Sequence, residues 1–284
     1  MQIPESELIL NKDQSIYHLN LKPEHLSDVI LTVGDPGRVY KISQYFDDID
    51  FEMNKREFIT HIGKYKGKRI TVISSGMGTE NVEILLNELD ALANINFDTR
   101  EIKPEKRKLK IIRIGTSGSL QLDVPIGSHL VSDYAIGLDS LMYFYKLQQS
   151  NFELSISNNL KETLGIPFQP YCVSGSSSLR KKFAFDMIGG NTVTCPGFYG
   201  PQGRKLRLDL AFPKIIENLN YFHDQDFWLT NFEMETAGYY AFGRLLDHEI
   251  LSVNAIIANR ITNEFAKNPD KIIDSLIKKI LDRI

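Results

Sequence analysis

Four short clusters along the 284-residue chain combine residue types that bind an anion, a polyol and an aromatic ring. The first is Gly34-Asp35-Pro36-Gly37-Arg38, which directly follows the apolar run 29–33. Glycine lets a ligand approach the main chain, and the planar guanidinium of Arg38 suits an oxyanion. On its own, however, Gly-Asp-Pro-Gly is more typical of a simple turn.

The second cluster is Arg113-Ile114-Gly115-Thr116-Ser117-Gly118, at the end of the apolar run 109–114. A buried Arg113 needs a partner, because an unpaired buried charge is costly. Thr116, Ser117 and the glycine amides could surround a phosphate, but an ion pair followed by a strand-ending turn explains the segment equally well. The spacing excludes a P-loop, and the chain lacks the dinucleotide fingerprint Gly-x-Gly-x-x-Gly after a strand.

The third and fourth clusters contain carboxylates and an aromatic loop. In Asn231-Phe232-Glu233-Met234-Glu235-Thr236, two carboxylates two residues apart could accept hydrogen bonds from sugar hydroxyls, or could simply favour a helix N-terminus. In Phe198-Tyr199-Gly200-Pro201-Gln202-Gly203-Arg204, a ring could stack on a base whose polar edge Gln202 and Arg204 would bind. Alone, this segment is more typical of a glycine-rich surface loop.

Strands must alternate with helices to position these clusters. Nearly continuous apolar runs, typical of strands buried on both faces, lie at 29–33, 70–73, 109–114 and 250–258. Apolar spacing and capping residues predict helices over 79–95, over 235–246 and after Asn268. The polar stretch 174–207 predicts an irregular excursion, and 100–110 a solvated basic loop. This pattern indicates an α/β fold, and the lack of a linker predicts one domain over residues 1–284.

Composition excludes several classes of protein. Hydrophobic residues make up 42% of the chain and charged residues 24%, with a net charge of −3, which argues against a nucleic-acid-binding or membrane protein. Cys172 and Cys195 match neither a disulfide framework nor a metal motif. The N-terminal residues do not resemble a signal peptide, so we expect a cytoplasmic protein.

The four clusters, in this order, resemble the nucleoside phosphorylase superfamily from about His18 to Arg260. The segment 198–204 is similar to the uracil-binding loop of the uridine phosphorylases. Hexameric purine phosphorylases would show a Ser-Asp pair after the late strand, whereas this chain has Ala258-Asn259-Arg260. The resemblance implies a three-layer α/β/α fold with a central mixed, partly barrel-like sheet flanked by helices.

The resemblance also implies roles for individual residues. The implied phosphate ligands are Gly34, Arg38, Arg113, Thr116 and Gly118, together with Arg56 from a neighbouring subunit. The implied ribose ligands are Met234, Glu235 on the 2′- and 3′-hydroxyls, Glu233 nearby, and His18 reaching the 5′-hydroxyl across the interface. Phe198 would pack on the base, while Gln202, Arg204 and Arg260 would stabilise the departing uracil.

The implied reaction is that of a pentosyltransferase. Phosphate would convert uridine, or deoxyuridine or thymidine, to uracil or thymine and the sugar 1-phosphate, with phosphate as co-substrate and no cofactor. We expect dimers and a hexamer, and no nucleic-acid or membrane partner. A monovalent cation would lie near Glu57, but Asn81 replaces the serine that the resemblance requires, so we predict no metal. The alternatives are a purine nucleoside phosphorylase, a nucleosidase of the same fold, and a non-catalytic nucleoside-binding protein.

Overall fold

A computed structural model describes residues 2–284 of the chain. Its strands are β1 (Val29–Val33), β2 (Asp48–Lys55), β3 (Phe58–Tyr65), β4 (Lys68–Ser74), β5 (Ile95–Asn96), β6 (Glu101–Ile102), β7 (Lys110–Ser119), β8 (His129–Gly137), β9 (Tyr171–Ser174), β10 (Ile188–Thr194), β11 (His223–Asp224), β12 (Phe227–Trp228), β13 (Asn231–Glu233), β14 (Glu249–Asn259) and β15 (Glu264–Phe265). Its α-helices are α1 (Pro36–Ser43), α2 (Thr79–Asn94), α3 (Asn151–Leu164), α4 (Ser177–Phe183), α5 (Ile215–Tyr221), α6 (Thr236–Leu245) and α7 (Pro269–Leu281).

The main sheet closes on itself along part of its length. Its barrel strands follow the order β14, β8, β10, β13 and β7, and β14 closes the ring because it pairs with both β8 and β7. An open arm continues from β7 through β1, β4, β3 and β2. Parallel and antiparallel pairs both occur, as in β14–β7 and β14–β8 respectively. The predicted mixed, partly barrel-like sheet is therefore confirmed.

Helices cover both faces of the open part of the sheet. Successive residues of β1 point to opposite faces, so Ile30 packs into a core with α2 and α6, whereas Leu31 packs into a second core with α1 and α7. A third core joins α3 and α5 to the barrel. This alternation produces the three-layer α/β/α arrangement that the sequence predicts.

The predicted helices agree closely with the structure. Helices α2, α6 and α7 occupy the ranges predicted from apolar spacing, and Asn268 caps α7 by accepting a hydrogen bond from the Lys271 amide at 3.2 Å. The basic segment 100–110 is mostly exposed loop after β6, as expected. Within residues 2–284, no helix combines the length and apolar character needed to cross a membrane.

The stretch 174–207 corrects one prediction. It contains α4 and also β10, which is one of the barrel strands and pairs with β8 and β13. The strand escapes prediction because its sequence is rich in glycine and polar residues rather than apolar ones. Gly190 is required there, since an added Cβ would lie 2.3 Å from Thr230 Oγ1.

The segment Gly115–Gly118 corrects a second prediction. The sequence suggests that the strand ends in a turn there, but β7 continues to Ser119 and stays paired with β14. Long-range pairing therefore overrides the local preference of Gly115 and Gly118 for a turn. As a consequence, Arg113 lies in the middle of a barrel strand.

Candidate active site

A cavity of about 720 Å³ opens at the carboxyl ends of β1, β4, β7, β13 and β14. Side chains from all four sequence clusters line it, although they are far apart in the sequence. The predicted site residues that line it are Gly34, Arg38, Arg113, Thr116, Gly118, Phe198, Gln202, Arg204, Glu233, Met234 and Glu235, with Glu57 and Asn81 at the same cavity. Strand carboxyl ends meeting at one edge of a sheet are a common place for ligands.

Arg38 brings a buried positive charge to one side of the cavity. Asp35 caps α1 by accepting from the Gly37 amide at 2.9 Å, which fixes the turn that carries Arg38. The Arg38 guanidinium donates to the Ile114 carbonyl at 3.2 Å and forms no salt bridge within residues 2–284. Burial lowers the pKa of Arg38; the charge of Asp35 opposes this effect and the charge of Arg113 adds to it. An anion in the cavity would relieve both effects.

Arg113 is held by carboxylates on one side and neutral acceptors on the other. Its Nη2 lies 2.9 Å from Glu233 Oε2 and 2.5 Å from Glu235 Oε2. Burial by itself would lower the pKa of Arg113, but these two carboxylates raise it above its ordinary value. Arg113 therefore has the ion-pair partners that a buried arginine needs, and they are the carboxylates of the third cluster.

The two glutamates have different surroundings. Glu233 accepts hydrogen bonds from the Thr236 amide at 3.0 Å and from Thr194 Oγ1 at 2.7 Å, so it anchors the start of α6. Glu235 accepts from the Gly78 amide at 2.8 Å. Burial raises the pKa of Glu235, Arg113 opposes the rise, and Glu233 adds to it. Glu235 therefore has fewer fixed partners than Glu233 and is better able to accept hydrogen bonds from a ligand.

The aromatic loop contributes Phe198, Gln202 and Arg204 to the cavity lining. The Arg204 guanidinium carbon lies 3.7 Å from the centre of the Phe198 ring, and its Nη1 donates to the Phe198 carbonyl at 2.7 Å. The same Nη1 donates to Gln202 Oε1, which leaves the amide nitrogen of Gln202 as a donor. Burial lowers the pKa of Arg204, and the charge of Arg260 lowers it further.

Arg260 lies behind this loop and does not line the cavity. Its Nη1 donates to the Gln202 carbonyl at 2.8 Å and its Nη2 to the Gly203 carbonyl at 3.3 Å. These bonds attach the loop to the end of β14. In this structure Arg260 fixes the loop that carries Gln202, and its predicted contact with a base stays a prediction.

His18 and Arg56 also lie outside the cavity lining. His18 Nδ1 lies 2.6 Å from Glu88 Oε1, on the side of α2. Arg56 is exposed in the tight turn between β2 and β3, at a positive φ of 53°, next to the cavity residue Glu57. Their predicted action from a neighbouring subunit stays a prediction.

Sequence reasoning missed the contribution of the loop after β4. Gly76 and Met77 line the cavity, and the Gly78 amide binds Glu235. Gly76 has a φ of +76°, and an added Cβ would lie 2.7 Å from Asn81 Nδ2. The available signal was a strand at 70–73 that leads into Ser-Ser-Gly, like the other strands that end at the site. The sequence gave no such signal for three other lining residues, because their surroundings are typical of core or loop positions: Phe232, Ile257 and Phe265.

Residues 28–281 match the family model of the phosphorylase superfamily, and the chain belongs to that family. A uridine phosphorylase of Thermococcus kodakarensis is 32% identical over 255 residues, covering 90% of this chain and 81% of that protein. A Trypanosoma brucei nucleoside phosphorylase described as showing uridine phosphorylase activity superposes with a TM-score of 0.89 at 29% identity, covering 98% of this chain and 99% of that one. A DeoD-type purine nucleoside phosphorylase of Buchnera aphidicola is 25% identical, covering 94% of this chain and 98% of that protein.

Proposed function

We propose that this protein is a uridine phosphorylase, a pentosyltransferase that converts uridine and phosphate to uracil and ribose 1-phosphate. The observation that carries the proposal is the arrangement of one cavity. Arg38 and Arg113, the carboxylate of Glu235, and the loop residues Phe198, Gln202 and Arg204 all line it. The uridine phosphorylases among the similar proteins support the same substrate.

The arginines would position the attacking phosphate. A dianion next to Arg38 and Arg113 would be held in a largely buried site, where electrostatic interactions are strong. The phosphate oxygen would approach the anomeric carbon from the face opposite the base while the glycosidic bond breaks. Positioning and charge stabilisation would thus supply the rate enhancement. We propose that Arg56 of a neighbouring subunit completes this group.

The loop would stabilise the leaving base. The electron pair of the broken bond moves into the uracil ring, so negative charge develops on its carbonyl and imide groups. Arg204 and the amide nitrogen of Gln202 are the donors available there, and Phe198 offers a face for stacking. Glu235 would bind the ribose hydroxyls, with Met234 alongside.

A purine nucleoside phosphorylase is the nearest alternative, because purine enzymes are among the similar proteins. Asn259 occupies the position where an acidic residue would act on a purine ring. Its Nδ2 donates to the Gln121 carbonyl at 2.9 Å, and its Oδ1 accepts from the Ile261 amide at 2.9 Å. This buried side chain holds the turn after β14 and does not line the cavity, which disfavours purine chemistry.

Further expectations belong to the same proposal. Phosphate would be the co-substrate, with no other cofactor. His18 and Arg56 would act across a dimer interface, and dimers would assemble into a hexamer. We also propose a single domain, a cytoplasmic location and a role in pyrimidine salvage. A nucleosidase would use water, which would leave Arg38 and Arg113 without an anion to bind.

Product analysis with and without phosphate tests the function. Purified protein is incubated with uridine, deoxyuridine, thymidine and inosine, and the released base and sugar 1-phosphate are quantified. Phosphate-dependent uracil release without inosine cleavage supports the proposal. Inosine cleavage identifies a purine enzyme, release of uracil without phosphate identifies a nucleosidase, and no turnover points to a binding protein.

A further inference from the structure

Arg113 lies flat along its own strand inside the barrel. The side chain runs over Gly115, where an added Cβ would lie 2.0 Å from Arg113 Nη1. Strand β14 pairs with β7 in a register that places Ser252 opposite Arg113 and Asn254 opposite Gly115. Both side chains therefore reach the same nitrogen of the guanidinium.

Two neutral acceptors hold that nitrogen. Arg113 Nη1 donates to Asn254 Oδ1 at 3.0 Å and to Ser252 Oγ at 3.2 Å. Ser252 and Asn254 are completely buried, although they lie in a mainly apolar strand. Burying an amide and a hydroxyl there is costly unless they are hydrogen-bonded, so their presence is explained by the guanidinium they bind.

Further hydrogen bonds hold the acceptors themselves. Thr236 Oγ1, at the start of α6, lies 2.8 Å from Ser252 Oγ. Asn254 Nδ2 lies 3.4 Å from Ser132 Oγ, and Ser132 Oγ lies 2.6 Å from Thr192 Oγ1 in β10. The orientation of Asn254 is thus set by neighbouring strands of the barrel.

This arrangement divides the donors of Arg113 among different partners. Nη1 is bound to Asn254 and Ser252, while Nη2 is bound to Glu233 and Glu235. Nε is buried and has no hydrogen-bond partner within residues 2–284. The Arg113 side chain lines the cavity, so the partners of Nη1 and Nη2 fix where its positive charge lies relative to an anion bound there.

We infer that Asn254 and Ser252 are positioning residues that fix the Arg113 guanidinium so that its positive charge faces the anionic co-substrate. The inference rests on the proposed function for the identity of that anion as phosphate. The acceptors on β14 are neutral, so they orient Arg113 without adding to the negative charge of Glu233 and Glu235. A third carboxylate in their place would repel a dianion.

The test compares phosphate binding and kinetics in four variants. In Asn254→Ala and Ser252→Ala, Nη1 loses one acceptor. Asn254→Asp keeps the shape of the side chain and adds a charge. Ser157→Ala is the matched control, because it removes a completely buried hydroxyl that donates to the Glu153 carbonyl at 2.8 Å in α3, outside the network around Arg113. Each protein is titrated with inorganic phosphate by calorimetry, assayed for KM of phosphate and of uridine, and melted to confirm folding.

We expect Asn254→Ala and Ser252→Ala to weaken phosphate binding by roughly 10- to 100-fold, the loss expected for a hydrogen bond to a charged group. Asn254→Asp should weaken it at least as much, because it adds a third carboxylate beside the anion. The KM of uridine should stay near wild type in the Asn254 and Ser252 variants, and so should the phosphate affinity of Ser157→Ala. The inference is overturned if Asn254→Asp binds phosphate like wild type, or if Ser157→Ala loses as much affinity as Asn254→Ala.

The calorimetric readout separates this inference from the proposed function. If the wild type binds phosphate but does not cleave uridine, the proposed function fails and the effect of Asn254 on phosphate affinity is still measured. If the wild type cleaves uridine and the Asn254 and Ser252 variants keep normal phosphate affinity, the function stands and the positioning role is refuted.

Discussion

Replacing Gly115 with alanine should damage the phosphate side of the site while leaving the backbone conformation intact. The added Cβ would lie 2.0 Å from Arg113 Nη1 and 2.8 Å from Asn254 Oδ1. Contacts shorter than 3.0 Å essentially do not occur at real Cβ atoms, so the guanidinium must move by about 1 Å. Gly115 lies in β7 without a positive φ, so alanine is compatible with the strand itself.

The size of the effect follows from that displacement. A 1 Å misplacement of a catalytic group costs on the order of 100-fold in rate, or about 2.7 kcal/mol. Overpacking the barrel should in addition lower the free energy of unfolding by about 1–3 kcal/mol. We therefore expect kcat/KM for phosphate to fall about 100-fold, accompanied by a moderate drop in Tm.

Initial rates at varied phosphate and saturating uridine measure this loss, and thermal melting measures the change in stability. Gly200→Ala is the control, because its added Cβ would meet only Leu210 Cδ2 at 3.9 Å. It should leave the phosphate kinetics unchanged. If Gly115→Ala retains phosphate kcat/KM within roughly threefold of wild type, Arg113 is not held over Gly115 in the active enzyme, and the reasoning is wrong.

Three further predictions concern the charged groups of the site. Arg113→Ala should abolish phosphate-dependent turnover, and near-normal turnover would contradict the assignment of Arg113 to the phosphate site. Because the substitution leaves two buried carboxylates unpaired, denaturant titrations should show a free energy of unfolding lower by about 3–5 kcal/mol. Glu235 must be ionised to accept hydroxyl donors, and burial raises its pKa. As the pH is lowered, kcat/KM for uridine should therefore begin to fall above pH 4.5, the ordinary pKa of a glutamate. Glu233 also raises that pKa, so Glu233→Gln should move this acid limb to lower pH, and an unmoved limb would assign it to another group. Arg204→Lys loses the planar group that stacks on Phe198, so the KM of uridine should rise about tenfold while the KM of phosphate stays unchanged. Equal changes in the two KM values would refute a base-specific role for Arg204.

Local sequence determined the elements whose apolar residues follow one regular period. Helix α2 appears over Thr79–Asn94 because its apolar residues recur at three and four positions, and α7 begins at Asn268 because that residue caps it. Strand β1 is identical to the apolar run 29–33. In these segments burial on one face or on both is already encoded in the residue pattern, so no knowledge of the partner element is needed.

The sequence also identified most of the residues that line the cavity, because each cluster carries its own chemistry. Arg38, Arg113, Glu235 and Arg204 were selected by charge and by their place next to glycine or at an element boundary, and all four line the cavity. Their order along the chain was enough to recognise the family.

Tertiary structure alone decided how these residues are paired. Strand β10 was missed because a closed barrel buries Gly190 and Thr192 in an interior that needs polar side chains, so no apolar run marks it. The turn expected at Gly115–Gly118 became strand because β14 supplies hydrogen bonds along its whole length. The partners of Arg113 come from β13, from the residue that precedes α6 and from β14, all more than a hundred residues away. Arg260 donates to the main chain of the aromatic loop. Such contacts depend on strand order and register, which no local pattern of residues specifies.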